Sequence, residues 1–132
     1  MKTVVIHCSD TETGTAEAIH DYHIKHNGWD GIGYHYVIDR DGNIINGRPE
    51  YWTGAHVKGH NVGTLGICLI GVNTFTIDQL NSLKDLIDDI HIRYEYIDIK
   101  GHYELDTKKT CPNIDMKKLR DFLNTGKLYL SV

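Results

Sequence analysis

"TLGICLIG", residues Thr64 to Gly71, decides the fold. A strand with one face in water alternates apolar and polar residues, whereas a nearly unbroken apolar run belongs where both faces are covered. The stretch therefore reads as a central, buried strand. Upstream, "KTVVIH" (Lys2 to His7) reads as a short β-branched strand. "YHYVIDR" (Tyr34 to Arg40) and "NIINGR" (Asn43 to Arg48) read as two strands flanking Asp41-Gly42, a two-residue hairpin signal because such a turn needs positive φ. Thr15 to Asn27 reads as a helix with Ile19, Tyr22, His23 and His26 on one stripe and Gly28 as its stop. Downstream, Thr76 opens a long helix with Gln79 completing a capping box, and Leu80, Leu83, Ile87, Ile90 and Tyr94 follow the helical period. "YIDIKG" (Tyr96 to Gly101) is a further short strand, and Asp115 caps a last helix whose buried face is Met116, Leu119, Phe122 and Leu123. The order predicts an α/β fold, a central mixed sheet of about five strands flanked by about three helices. At 132 residues, with no repeat or linker, positions 1–132 are expected to form one domain.

The net charge of −4 and the lack of a dense basic run argue against phosphate-driven nucleic-acid binding. No apolar stretch approaches a membrane span, and the apolar run in "MKTVVIHCSDTETG" is too short for a signal peptide. Synthesis in the cytoplasm without membrane insertion is the expectation, and no apolar surface stripe demands anything beyond a monomer. Three cysteines leave no complete disulfide framework, which favours reduced thiols or a metal ligand.

Most of the nine histidines have ordinary explanations. His20 reads as solvent-facing, and His23, His26 and His91 as packing or hydrogen-bonding groups. His7 differs because it closes a strand, where sites are commonly built. Its neighbour Cys8 should point to the opposite face, into the core. Cys68, inside the apolar strand, reads as a core cysteine. Cys111 alone lies in a polar, turn-rich context, "HYELDTKKTCPN" (His102 to Asn113), where Lys108 and Lys109 favour thiolate. A nucleophilic cysteine is one reading of it. A zinc ligand is the better one, since two histidines and a thiolate leave a fourth position open for water. No tight ligand-spacing motif decides the matter. Carboxylate-pair catalysis by Glu12 with Asp21, or Glu104 with Asp106, is a weaker rival, because these acids lie where solvated acids belong.

The stretches "IHCSDT", "HNGWDGIGYHYVIDRDG", "GAHVKGHNVGTLGICLIG" and "HYELDTKKTCPNID" together resemble the type 2 N-acetylmuramoyl-L-alanine amidases, which share their fold with peptidoglycan recognition proteins. The likeness is closest to the small phage zinc amidases and spans nearly the whole chain. It implies that His7, His102 and Cys111 are zinc ligands. It further implies that Tyr34 borders the reacting water, that Lys109 assists at the reacting carbonyl, and that His56 and Asn61 line the substrate groove.

The reaction so implied is hydrolysis of the amide joining N-acetylmuramic acid to L-alanine in bacterial peptidoglycan, by a phage or prophage endolysin that reaches the wall through a membrane lesion. The phage relatives carry an N-terminal extension linked to polymerase binding, and the first strand here begins almost at Met1. A polymerase-binding regulator is therefore a poorer alternative, and a peptidoglycan-binding module that does not cut is opposed by the presence of Cys111.

Overall fold

The computed structural model describes residues 2–11, 33–94 and 96–126. The helix expected from Thr15 to Asn27 lies outside the described residues, as do Glu12, His20, Asp21, His23 and His26. Five strands form one sheet: β1 (Lys2–Cys8), β2 (Tyr36–Ile38), β3 (Ile44–Asn46), β4 (Thr64–Leu69) and β5 (Ile97–Gly101), in the order β3-β2-β4-β1-β5. All neighbouring pairs are parallel except β2 with β3. The three helices among the described residues are α1 (Ile77–Arg93), α2 (His102–Leu105) and α3 (Met116–Thr125). The mixed sheet flanked by helices is the architecture expected from sequence.

Register sorts the strand residues onto two faces. Val4, Ile6, Leu65, Ile67, Leu69, Ile38 and Ile99 cluster with Leu83, Ile87 and Ile90 of α1 and with Met116, Leu119 and Phe122 of α3. The opposite face carries Val5, His7, Gly66, Cys68 and Val37 by the same register. Val37, Cys68 and Ile70 form a second, smaller cluster there with Tyr34 against it. β4 is buried on both sides, as its apolar run requires, and Cys68 is a core cysteine.

Helix α1 is pinned to the sheet through its first turn. Gln79 N–H donates to Thr76 Oγ1 at 3.1 Å, and Thr76 N–H donates to Gln79 Oε1 at 2.9 Å, the reciprocal pair of a capping box. The Gln79 amide also donates from Nε2 to the carbonyls of Ile38 and Ile70, at 3.2 and 2.8 Å. Gln79 is fully buried, so one polar side chain caps the helix and closes the ends of two strands.

Two local expectations change. The β2–β3 turn closes over Asp39–Asn43, with Gly42 N–H donating to Asp39 O and Asp39 N–H to Asn43 O. Only Gly42, at φ 87°, takes positive φ, whereas a two-residue type I′ turn needs two such positions. The Asp39 carboxylate accepts from Asp41 and Asn43 N–H and so stabilises the longer turn. The second change is α2, a single turn within a stretch that reads as loop. Glu104 Oε1 accepts from Gly101 N–H at its start and pairs with Arg120 of α3.

Replacing Gln79 with Leu removes three hydrogen bonds at once, the one from Thr76 N–H and those to the Ile38 and Ile70 carbonyls. The two carbonyls keep Ile70 N–H and Arg40 as their other donors, and each lost bond is worth about 1 kcal/mol. Urea unfolding should show a loss of at least about 2 kcal/mol for Gln79→Leu, against about 1 kcal/mol for Thr76→Ala, which removes a cap.

Candidate functional site

The site forms where two parallel strands end side by side. β1 and β5 pair with Ile6 opposite Gly101, so the next residues, His7 and His102, emerge as lateral neighbours. Their Nδ1 atoms face each other at 3.0 Å although the residues are 95 positions apart. Gly101 leaves room for Met116 and Pro112 to pack against the strand end, since a Cβ there would meet Met116 Cγ at 2.7 Å and Pro112 Cδ at 3.0 Å.

The stretch after His102 folds back on itself. Asp106 N–H donates to His102 O, Lys109 N–H to Asp106 O, and Tyr103 N–H to Cys111 O at 2.9 Å. Asn113, at φ 60°, donates from Nδ2 to Val72 O and reaches Cys8 Sγ at 3.7 Å. The Cys111 sulfur lies 3.7 Å from the Cys8 carbonyl. A pocket of about 280 Å³ is thereby lined by His7, Cys8, Tyr34, His102, Lys109 and Cys111.

Cys8 is buried, as expected, and also borders the pocket. Alternation turns it away from His7, but the Cys111–Asn113 turn wraps over the end of β1 and meets it there. The two thiols are unequal. Hydrogen bonding from the Cys8 thiol pulls Cys111 down to about 7, and the same contact together with burial pushes Cys8 up. Cys111 is the sulfur that ionises.

A broader groove of about 490 Å³ adjoins this pocket and shares Tyr34, His102 and Lys109 with it. His56 and Asn61 line the groove, with Lys58 and Asp106. Asn61 also organises the loop: its Oδ1 accepts from His56 and Val57 N–H, both at 2.9 Å. His56 lies across the sheet between Thr64 and His7, its Nδ1 2.9 Å from His7 Nε2 and its Nε2 3.0 Å from Thr64 Oγ1. Glycines make room for that ring, since a Cβ on Gly66 would meet His56 Cγ at 2.7 Å and one on Gly54 would meet Cδ2 at 2.6 Å.

Burial lowers the proton affinity of His7, His35 and His102 and brings His56 down to about 3. These rings are neutral in the folded protein. Burial pushes the Tyr34 hydroxyl well up, so it stays protonated and acts as a donor. The Tyr34 ring centroid lies 5.1 Å from that of His7.

The residues that the resemblance singled out, His7, Tyr34, His56, Asn61, His102, Lys109 and Cys111, thus each border one of two adjoining depressions. Among the described residues, no three of His, Cys, Asp and Glu are gathered closely enough to hold a metal ion as they stand. His91 is exposed rather than packed, and it lines neither depression. Glu104 is engaged with Gly101 and Arg120 rather than with a carboxylate partner. Sequence reasoning missed Thr64 and Gly66. A glycine inside an apolar strand is a signal of close approach by another group, and Gly66 carried that signal.

The sequence matches the family described as N-acetylmuramoyl-L-alanine amidase over residues 1–114. It is 35% identical over 127 residues to the endolysin of Escherichia phage T7, covering 87% of this chain and 82% of the relative. Among solved structures, the N-acetylmuramoyl-L-alanine amidase LysC from Clostridium intestinale URNW aligns with a TM-score of 0.85 at 33% identity, covering 93% of this chain and 85% of that one. A tracheal cytotoxin-bound ectodomain complex of peptidoglycan recognition proteins LCa and LCx aligns with a TM-score of 0.77 at 26% identity, over 85% of this chain and 75% of that one.

The buried neutral histidines give a pH dependence of known sign. Their folded proton affinity is depressed below the ordinary value of 6.5, so the unfolded chain binds more protons in the window beneath it. Their contribution is present above 6.5 and is lost as pH falls toward the folded value, about 3 for His56. Urea midpoints of the metal-free protein should hold steady from about pH 8 to 7 and fall between about 6.5 and 5, before most carboxylates titrate.

Proposed function

The chain belongs to the N-acetylmuramoyl-L-alanine amidase family, and from that premise we propose that it is a zinc-dependent enzyme. Its substrate is the amide joining the lactyl group of N-acetylmuramic acid to L-alanine in bacterial peptidoglycan. It serves as a phage or prophage endolysin, a monomeric single domain acting on the wall. The observation that carries this reading is the 3.0 Å approach of His7 Nδ1 and His102 Nδ1 on the floor of a pocket that Cys111, Tyr34 and Lys109 complete.

The donor set fits zinc in kind: two imidazoles and an ionising thiol line one pocket. Two imidazole nitrogens sharing a tetrahedral zinc stand about 3.3 Å apart, close to the separation found. Cys111 is the ionising sulfur of its pair and lines the same pocket. His7, His102 and Cys111 would hold the ion, leaving a position for the reacting groups. Zinc there supplies a Lewis acid that polarises the carbonyl and makes water a nucleophile at neutral pH.

The remaining work falls to the chain's own groups. An amide resists attack because charge must develop on its oxygen. Lys109 borders both the pocket and the groove, so its ammonium can meet that charge from a substrate lying in the groove. Tyr34 is protonated at neutral pH and borders both the pocket and the groove, beside the space where water and the substrate carbonyl would meet. The groove beside His56, Lys58 and Asn61 receives the muramyl peptide. A peptidoglycan recognition protein complex of this fold is bound to tracheal cytotoxin, which supports such a ligand for this one.

Digestion of purified peptidoglycan by the zinc-loaded protein should release peptides with free L-alanine amino termini and no new reducing sugar ends. Intact sugar–peptide linkages, with the wall merely bound, would overturn the enzymatic reading in favour of a binding module. Cys111→Ser should abolish lysis and lower zinc content while leaving the far-ultraviolet spectrum unchanged. Full lysis at normal zinc content would remove Cys111 from the ligand set. Lys109→Ala should keep zinc and substrate binding and lower kcat about a hundredfold or more, as expected for loss of an oxyanion donor.

A further inference from the structure

Thr64 stands at the head of a chain of side chains that ends on a proposed metal ligand. Its hydroxyl oxygen lies 2.8 Å from His60 O, 2.8 Å from Asn61 O and 3.0 Å from His56 Nε2. A hydroxyl has one proton, and both carbonyls only accept. Turning that proton toward His56 would leave two oxygen pairs facing each other, lone pair against lone pair. The proton therefore goes to a carbonyl, and the Thr64 oxygen accepts from His56 Nε2–H.

The same constraint passes from ring to ring. A neutral imidazole carries one proton, so His56 Nδ1 is an acceptor, and it lies 2.9 Å from His7 Nε2. His7 must donate from Nε2. That leaves His7 Nδ1 bare, aimed at His102 Nδ1. The opposite proton order would require Thr64 to abandon both carbonyls.

We propose that Thr64 is a positioning residue: acting through His56, it fixes the proton of His7 on Nε2 and presents Nδ1 as an open lone pair on the pocket floor. Histidine ligands usually have their second nitrogen oriented by a carboxylate, a carbonyl or water. Here the orienting group is another imidazole, itself oriented by a hydroxyl. Gly54 and Gly66 flank the His56 ring so closely that a methyl group on either would collide with it. The bed holds the ring in the plane that joins Thr64 to His7. The tautomer assignment stands on the metal-free chain, and only its consequence for zinc rests on the amidase reading.

The test begins with the unmodified, metal-free protein. Long-range proton–nitrogen correlation spectra of its ¹⁵N-labelled imidazoles should show both His7 and His56 protonated on Nε2. A Nδ1–H pattern at either ring overturns the proposal. Thr64→Val removes the hydroxyl at nearly constant volume and should shift His56 away from the pure Nε2–H form, whereas Thr64→Ser should preserve it. Zinc affinity by chelator competition should fall about tenfold or more for Thr64→Val and recover for Thr64→Ser. Equal affinity and equal spectra for the two folded variants overturn the role of the hydroxyl. A wild-type chain that takes up no zinc overturns the amidase reading instead, and the imidazole spectra still decide the tautomer.

Discussion

Everything at the site depends on the parallel pairing of β1 with β5. Parallel strands present corresponding ends at the same edge, so a residue closing one strand and a residue just past its neighbour meet without special loop geometry. Ile6 opposite Gly101 sets that meeting at His7 and His102. A shift of one residue in this register would turn His7 toward the helix-covered face and dismantle the pair. The register is held by the buried apolar ladder of Val4, Ile6 and Ile99, so the core that stabilises the fold also aims the chemistry.

The sheet divides its labour by face. Large aliphatic residues fill the side under α1 and α3, while the other side mixes a small apolar cluster with histidines and glycines. Glycine in a strand usually weakens it, because it brings no side chain to pack. At Gly66 the missing side chain is replaced by the His56 ring, which fills the space and carries polarity to the strand end at the same time. His35 works alongside, accepting at Nδ1 from Gly66 N–H and donating from Nε2 to Trp52 O, so the loop before β4 is fastened to the sheet by imidazoles.

Legibility from sequence followed the range of the forces involved. The apolar run of β4, the Thr76–Gln79 capping box and the Asp115 cap are local patterns, and the structure contains each of them. The β2–β3 turn misled because Asp-Gly encodes positive φ without revealing that the Asp39 carboxylate would stabilise a longer loop. Helix α2 escaped because a single turn has no period to read. Spacing said little about the site, since its members come from opposite ends of the chain and meet only through strand pairing. Resemblance to a known family, rather than geometry, brought His7, Tyr34, His102, Lys109 and Cys111 together. Thr64 was invisible at that level, because the direction of a hydrogen bond depends on all the groups around it.

The last helix gives the molecule a boundary that the family match alone would misplace. The family match ends at residue 114, before α3 begins at Met116. Yet Arg120 of that helix grips both Glu104 and the Ile99 carbonyl, and Tyr103 accepts from Met116 N–H. Those contacts brace the segment between His102 and Cys111 from behind, as a buttress braces a wall it does not share. The smallest piece of this chain that keeps its pocket in shape therefore extends past the family signature, to the end of a helix that lines neither the pocket nor the groove.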